Sequence, residues 1–102
     1  MPLSHTMIKS RIMEFDNDPA KAAHNLKKHN VSFEEAASVF GDPMSYTFAD
    51  PDHSISEERW LMFGLSLTNR VLAVIYTHRR GKYRIISARL ATKHERKIYE
   101  EG

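Results

Sequence analysis

The groups able to do chemistry in this chain crowd into its last third. Arg59, Tyr76, His78, Arg79, Arg84 and Arg89 form one set, and Lys93, Arg96 and Lys97 follow shortly after. Guanidinium groups stay charged at all relevant pH values and match a phosphate with two parallel hydrogen bonds. That set suits one reaction. RNA is cut without a metal when its own 2′-hydroxyl attacks the adjacent phosphate. The protein need only align the nucleotide, stabilise the developing charge and move protons. Arginines supply the charge, and a His or Tyr moves protons. Other chemistries lack support. There is no cysteine, which excludes thiolate chemistry and disulfides. The six histidines show neither HxH nor HExxH spacing, so no metal and no cofactor are expected. There is no glycine-rich phosphate loop and no nucleophile elbow.

Each residue also has a plainer reading. Tyr76 can be packing. Arg84 can pair with Glu57, Glu58 or Asp52. His53 and His78 can be surface histidines, and Asp50 and Asp52 turn formers.

The elements that position these groups centre on Arg70 to Arg96. Two β-branched runs, Val71–Thr77 and Tyr83–Ala88, flank a turn containing Gly81. From Arg70 to Lys97 there are nine Arg or Lys and one acid, Glu95. A two-residue loop at Arg80-Gly81 forces Arg80 to positive φ, so a three-residue loop, Arg79-Arg80-Gly81, is preferred. That register sets Tyr76 opposite Arg84, Val74 opposite Ile86 and Leu72 opposite Ala88. Both faces are apolar near the middle, so these two strands are expected to be central.

Upstream, Ile12–Phe15 reads as an edge strand. Asp18-Pro19 starts a helix whose face is Ala20, Ala22, Ala23 and Leu26, closed by Asn30 in the left-handed region. Ser32 and Glu35 form a capping box before the stripe Phe33, Ala36, Ala37 and Phe40. Met44–Ala49 and Trp60–Leu67 are strands. Gly64 marks a bulge or a close backbone approach. Thr92 and Glu95 form a second capping box opening a C-terminal helix. The order is β-α-α-β-β-β-β-α, an α+β fold with an α-hairpin on an antiparallel sheet.

The 102 residues suit one domain, 12–102, after a loose lead-in over 1–11. The start lacks a secretory signal, and no apolar run reaches the roughly 18 residues of a membrane span. A cytoplasmic protein is expected. The net charge of +2 conceals a dipole: residues 1–69 carry −4 and residues 70–102 carry +6. Such a distribution offers one positive face to an anionic polymer.

The segments KHNVSFEEAASVF, DPDHS, EERW, GLS, YTHRRG, RIISARLAT and ERKIYEE carry a resemblance. From about Met13 to Glu101 the chain resembles the BrnT family of bacterial toxins. The family resemblance implies a RelE-like fold and a metal-independent ribonuclease that blocks translation in a type II toxin–antitoxin system. It implies a BrnA-like antitoxin with a ribbon-helix-helix domain, a complex with two copies of each chain, and DNA contact only through that antitoxin. By matching positions it implies Arg59, Tyr76, Arg79, Arg84 and Arg89 as catalytic. His53, His78, Lys93, Arg96 and Lys97 are then expected as RNA contacts. Asn30 departs from the family's glycine and Leu90 from its usual basic residue. Two other readings stay open beside the nuclease: a non-catalytic RNA- or antitoxin-binding module acting in operon autorepression, and a structural adaptor.

Overall fold

A computed structural model describes residues 13–50 and 57–102. Helix α1 (Pro19–His29) and helix α2 (Phe33–Ser38), extended by a 3-10 turn at Val39–Gly41, precede four strands. These are β1 (Tyr46–Ala49), β2 (Trp60–Leu65), β3 (Val71–Arg79) and β4 (Lys82–Leu90), and helix α3 (Lys93–Glu101) closes the chain. The sheet is antiparallel in the order β1-β2-β3-β4. The α+β class and the antiparallel sheet are therefore as the sequence implies. The lead-in over 1–11, Ile12 of the expected first strand, and residues 51–56 with Asp52 and His53 lie outside the described residues.

The caps follow the sequence, with one exception. Asp18 accepts from Ala20 N at 2.9 Å, Pro19 opens α1, and Asn30 closes it at φ 56°. Thr92 and Glu95 complete a reciprocal capping box on α3. At α2 only half the expected box forms: Ser32 Oγ accepts from Glu35 N at 3.0 Å. The Glu35 carboxylate turns away instead and binds Arg70, with Ser66 Oγ and Thr68 Oγ1 donating to it at 2.7 and 2.5 Å. This ties α2 to the β2–β3 turn.

The Arg70 hydrogen bond, opposed by burial and helped by Thr68 and Ser66, holds the Glu35 carboxyl well down, from 4.5 to about 2. A depressed folded-state value contributes stability above the ordinary carboxylate range and loses it as pH falls from 4.5 toward 2. The thermal unfolding temperature should therefore fall as pH drops through that interval. Glu35→Gln should be less stable at neutral pH and show a shallower pH dependence. An unchanged acid limb in the variant would contradict this.

The core lies between the two N-terminal helices and one sheet face. Val31, Phe33, Ala36 and Val39 meet Met62, Leu72, Val74, Ile85 and Ala88. Gly64 sits where a Cβ would come within 2.5 Å of Val39 Cγ1, so the close-approach reading of that glycine holds. The face expected for α1 does not. Ala20, Ala23 and Leu26 are exposed, whereas Ala22 is half-buried and Asn25 is 3% exposed. Asn25 donates to Val31 O and Ala88 O at 2.9 and 2.8 Å and accepts from Ala88 N at 3.0 Å. A polar residue makes the central contact because it faces the backbone of a strand edge.

That edge explains a second difference. β3 is central, but β4 is terminal. Among the described residues a single bridge at Phe15, parallel to Tyr83, stands where a first strand was expected. Tyr83 N donates to Glu14 O and Asp16 N donates to Tyr83 O, at 2.8 and 2.9 Å. Further along, Asn17 Oδ1 accepts from Ile85 N and Asn25 takes both groups of Ala88. Two side-chain amides thus substitute for a neighbouring strand and leave fewer edge groups free to pair with another chain.

The hairpin also differs. Arg79 pairs with Lys82, leaving a two-residue turn with Arg80 at φ 55° and Gly81 at φ 77°. This mirror-image turn matches the strand twist, and that gain outweighs the cost of a left-handed arginine. Val74 pairs with Ala88, Leu72 with Leu90, Tyr76 with Ile85 and Thr77 with Arg84; a bulge absorbs Ile86. Tyr76 and Arg84 consequently point to opposite faces.

Candidate functional site

The sheet face away from α1 and α2 carries the arginines. On β3 this face presents Ala73, Ile75, Thr77 and Arg79, and on β2 Leu61 and Phe63 pair with Ile75 and Ala73. One step beyond the Trp60–Tyr76 pair, Arg59 falls beside Thr77, and Thr77 Oγ1 donates to Glu58 O at 2.7 Å. Thr77 in turn pairs with Arg84. Arg59, Thr77 and Arg84 therefore form a row across three strands, about 10 Å wide at the strand spacing. Glu57, Arg79 and Lys82 form a second row toward the hairpin tip.

Every candidate arginine faces a carboxylate. Glu57 reaches Arg79 Nη2 at 2.8 Å through Oε1 and Arg59 Nε at 3.4 Å through Oε2. Arg84 Nη2 meets Asp16 Oδ2 at 3.2 Å. Arg89 is held by both oxygens of Glu95, at 2.6 and 2.9 Å. These partners differ from the sequence reading, which offered Arg84 only Glu57, Glu58 or Asp52. The pairs also differ in kind. The Arg89–Glu95 fork raises the arginine and lowers the glutamate in pKa, the hydrogen bond between them being the largest cause for each. It joins β4 to α3, so Arg89 anchors that helix. Among the described residues Arg59, Arg79 and Arg84 each pair with one carboxylate, at partly exposed positions.

Helix α3 walls one side of this face. Glu95, Ile98 and Tyr99 are its half-buried positions, and it packs on β2. Tyr99 donates to Asp42 Oδ2 at 2.6 Å, which pushes the phenol up to about 12. Burial opposes the Asp42 charge, but donors from Leu65 N, Tyr99 and Met44 N outweigh it and hold this carboxyl low. Lys93, Arg96 and Lys97 are exposed on the outer side of α3.

Tyr76 lies elsewhere. Its ring sits 4.8 Å from Phe40 and 5.8 Å from Tyr83, in an aromatic cluster beneath α2. Burial raises its pKa; a hydrogen bond with Thr47 opposes this and the neighbouring Tyr83 adds to it. The His78 ring lies tilted against Tyr83, 4.6 Å away, on the same side. The structure thus sets Arg59, Arg79 and Arg84 on one sheet face, joins the first two at Glu57, gives Arg89 to a helix anchor, and places Tyr76 and His78 on the opposite face. Sequence reasoning offered Glu57 to Arg84 and missed it as the partner shared by Arg59 and Arg79, although its place two residues before Arg59 on one strand lead-in was a usable signal.

The family described as "Ribonuclease toxin, BrnT, of type II toxin-antitoxin system" matches residues 17–95. The chain belongs to the BrnT ribonuclease-toxin family. Membership implies an RNA substrate and an antitoxin partner. The crystal structure of the Brucella abortus ribonuclease toxin BrnT has the same fold, with a TM-score of 0.59 and 20% identity. The match covers 80% of this chain and 100% of that one. No curated protein sequence matches the chain. Among the described residues no helix is long and apolar enough to cross a membrane.

Proposed function

We propose that this BrnT-family chain is a metal-independent endoribonuclease whose arginine row grips the scissile phosphate and whose activity blocks translation. The observation that supports it most is the placement of Arg59, Arg79 and Arg84 on one sheet face, with Arg59 and Arg79 meeting at Glu57. The 2′-hydroxyl gives its proton to solvent as its oxygen attacks phosphorus, the bond to the 5′-oxygen breaks and that oxygen takes a proton from water, and the guanidiniums stabilise the charge gathering on the other phosphate oxygens. Lys93, Arg96 and Lys97 carry flanking phosphates along α3. Tyr76 and His78 support the hairpin from beneath. The cognate antitoxin is BrnA-like, with a ribbon-helix-helix domain that gives a complex with two copies of each chain. It covers this face and supplies the DNA contact. The toxin works in the cytoplasm, where its RNA is.

Purified protein should cleave single-stranded RNA in excess EDTA and leave 2′,3′-cyclic phosphate ends, read by mass spectrometry. Intact RNA, or cleavage that EDTA abolishes, would overturn the metal-independent reading.

A further inference from the structure

Glu57 is the one carboxylate among the described ion pairs that bridges two candidate arginines. Its two oxygens face guanidiniums from different strands, as two oxygens of a phosphate would. We infer that Glu57 occupies the phosphate seat in the RNA-free protein and is displaced by the RNA backbone, so that it acts as a built-in competitor. This rests on the function proposed above.

The alternative role for such a carboxylate is to hold the arginines together. The backbone already does that. Trp60 pairs with Tyr76, Asp50 N donates to Arg59 O at 2.9 Å, and Thr77 Oγ1 fixes Glu58 O at 2.7 Å. Arg59 and Arg79 therefore stay adjacent whatever stands at position 57. The contacts also suit an exchangeable occupant. The Arg59 contact is long at 3.4 Å, and the Arg79 side chain is 54% exposed. The bidentate Glu95–Arg89 fork, by contrast, is built to stay closed. An exposed ion pair resists displacement weakly, and removing one negative charge at contact distance favours an incoming anion.

The test uses the full chain and a fluorescent oligoribonucleotide methylated at every 2′-oxygen, which binds but cannot be cut. Glu57→Gln should lower Kd by about three- to tenfold, the range that one screened charge allows. Glu57→Ala should shift it in the same direction. The KM for cleavable RNA should fall by a similar factor, a change that a merely structural role would not produce. Affinity that is unchanged or weaker in both variants, with the fold intact by circular dichroism, overturns the inference. Arg59→Ala and Arg79→Ala separate this from the wider reading. If they weaken binding while the Glu57 variants do not tighten it, only the competitor role fails. If they leave affinity unaltered, the phosphate seat itself fails.

Discussion

Arg59→Ala and Arg84→Ala should each slow RNA cleavage by about 10²-fold or more, the usual consequence of removing one charged donor from a developing oxyanion. Stability should hardly move. Arg59 and Arg84 make partly exposed ion pairs with Glu57 and Asp16, and such pairs contribute roughly 0–1 kcal/mol. Arg84→Lys should stay impaired, because an ammonium keeps the charge but not the planar fork. Expression of either alanine variant in bacteria should relieve growth arrest. Cleavage kinetics beside thermal unfolding check both halves: full activity in a folded Arg59→Ala protein would remove that residue from the site.

The largest structural effect should come from Asn25→Ala. The change strips hydrogen bonds from Val31 O, Ala88 O and Ala88 N, all in the buried layer between α1 and β4. Unsatisfied buried polar groups cost about 1–3 kcal/mol each. A destabilisation of about 3 kcal/mol is expected, and with it a fall in Tm of about 15 °C. Calorimetry measures it directly. Asn25→Asp should fare no better, since the carboxylate cannot donate to the two carbonyls. A Tm loss of only a degree or two would mean that water takes over these groups.

Asn25 also shows where sequence reasoning stops. Alanine spacing suggested the wrong contact face for α1 because periodicity registers apolar side chains, and this helix docks through an amide that reads as polar. Caps were legible because they are local: Asp18, Asn30, Thr92 and Glu95 each act within a few residues of themselves. Glu35 was half legible, since its backbone serves the cap while its side chain answers to Arg70, distant in sequence. The hairpin register failed on one energy comparison, the strain of a left-handed Arg80 against the twist of the strands. That single slip placed Tyr76 with Arg84. In the observed register Arg84 pairs with Thr77 and so lies on the face of Arg79 instead of that of Tyr76.

The closure of β4 bears on when this protein comes into being. Asn17 and Asn25 emerge early in synthesis, yet the strand they complete follows 68 and 63 residues later. Such distant partners close slowly and only once both exist. A growing chain therefore holds neither its finished sheet nor Arg84 until the residues of β4 have been made. Until then the arginine face is incomplete, because Arg84 joins it only when β4 pairs with β3.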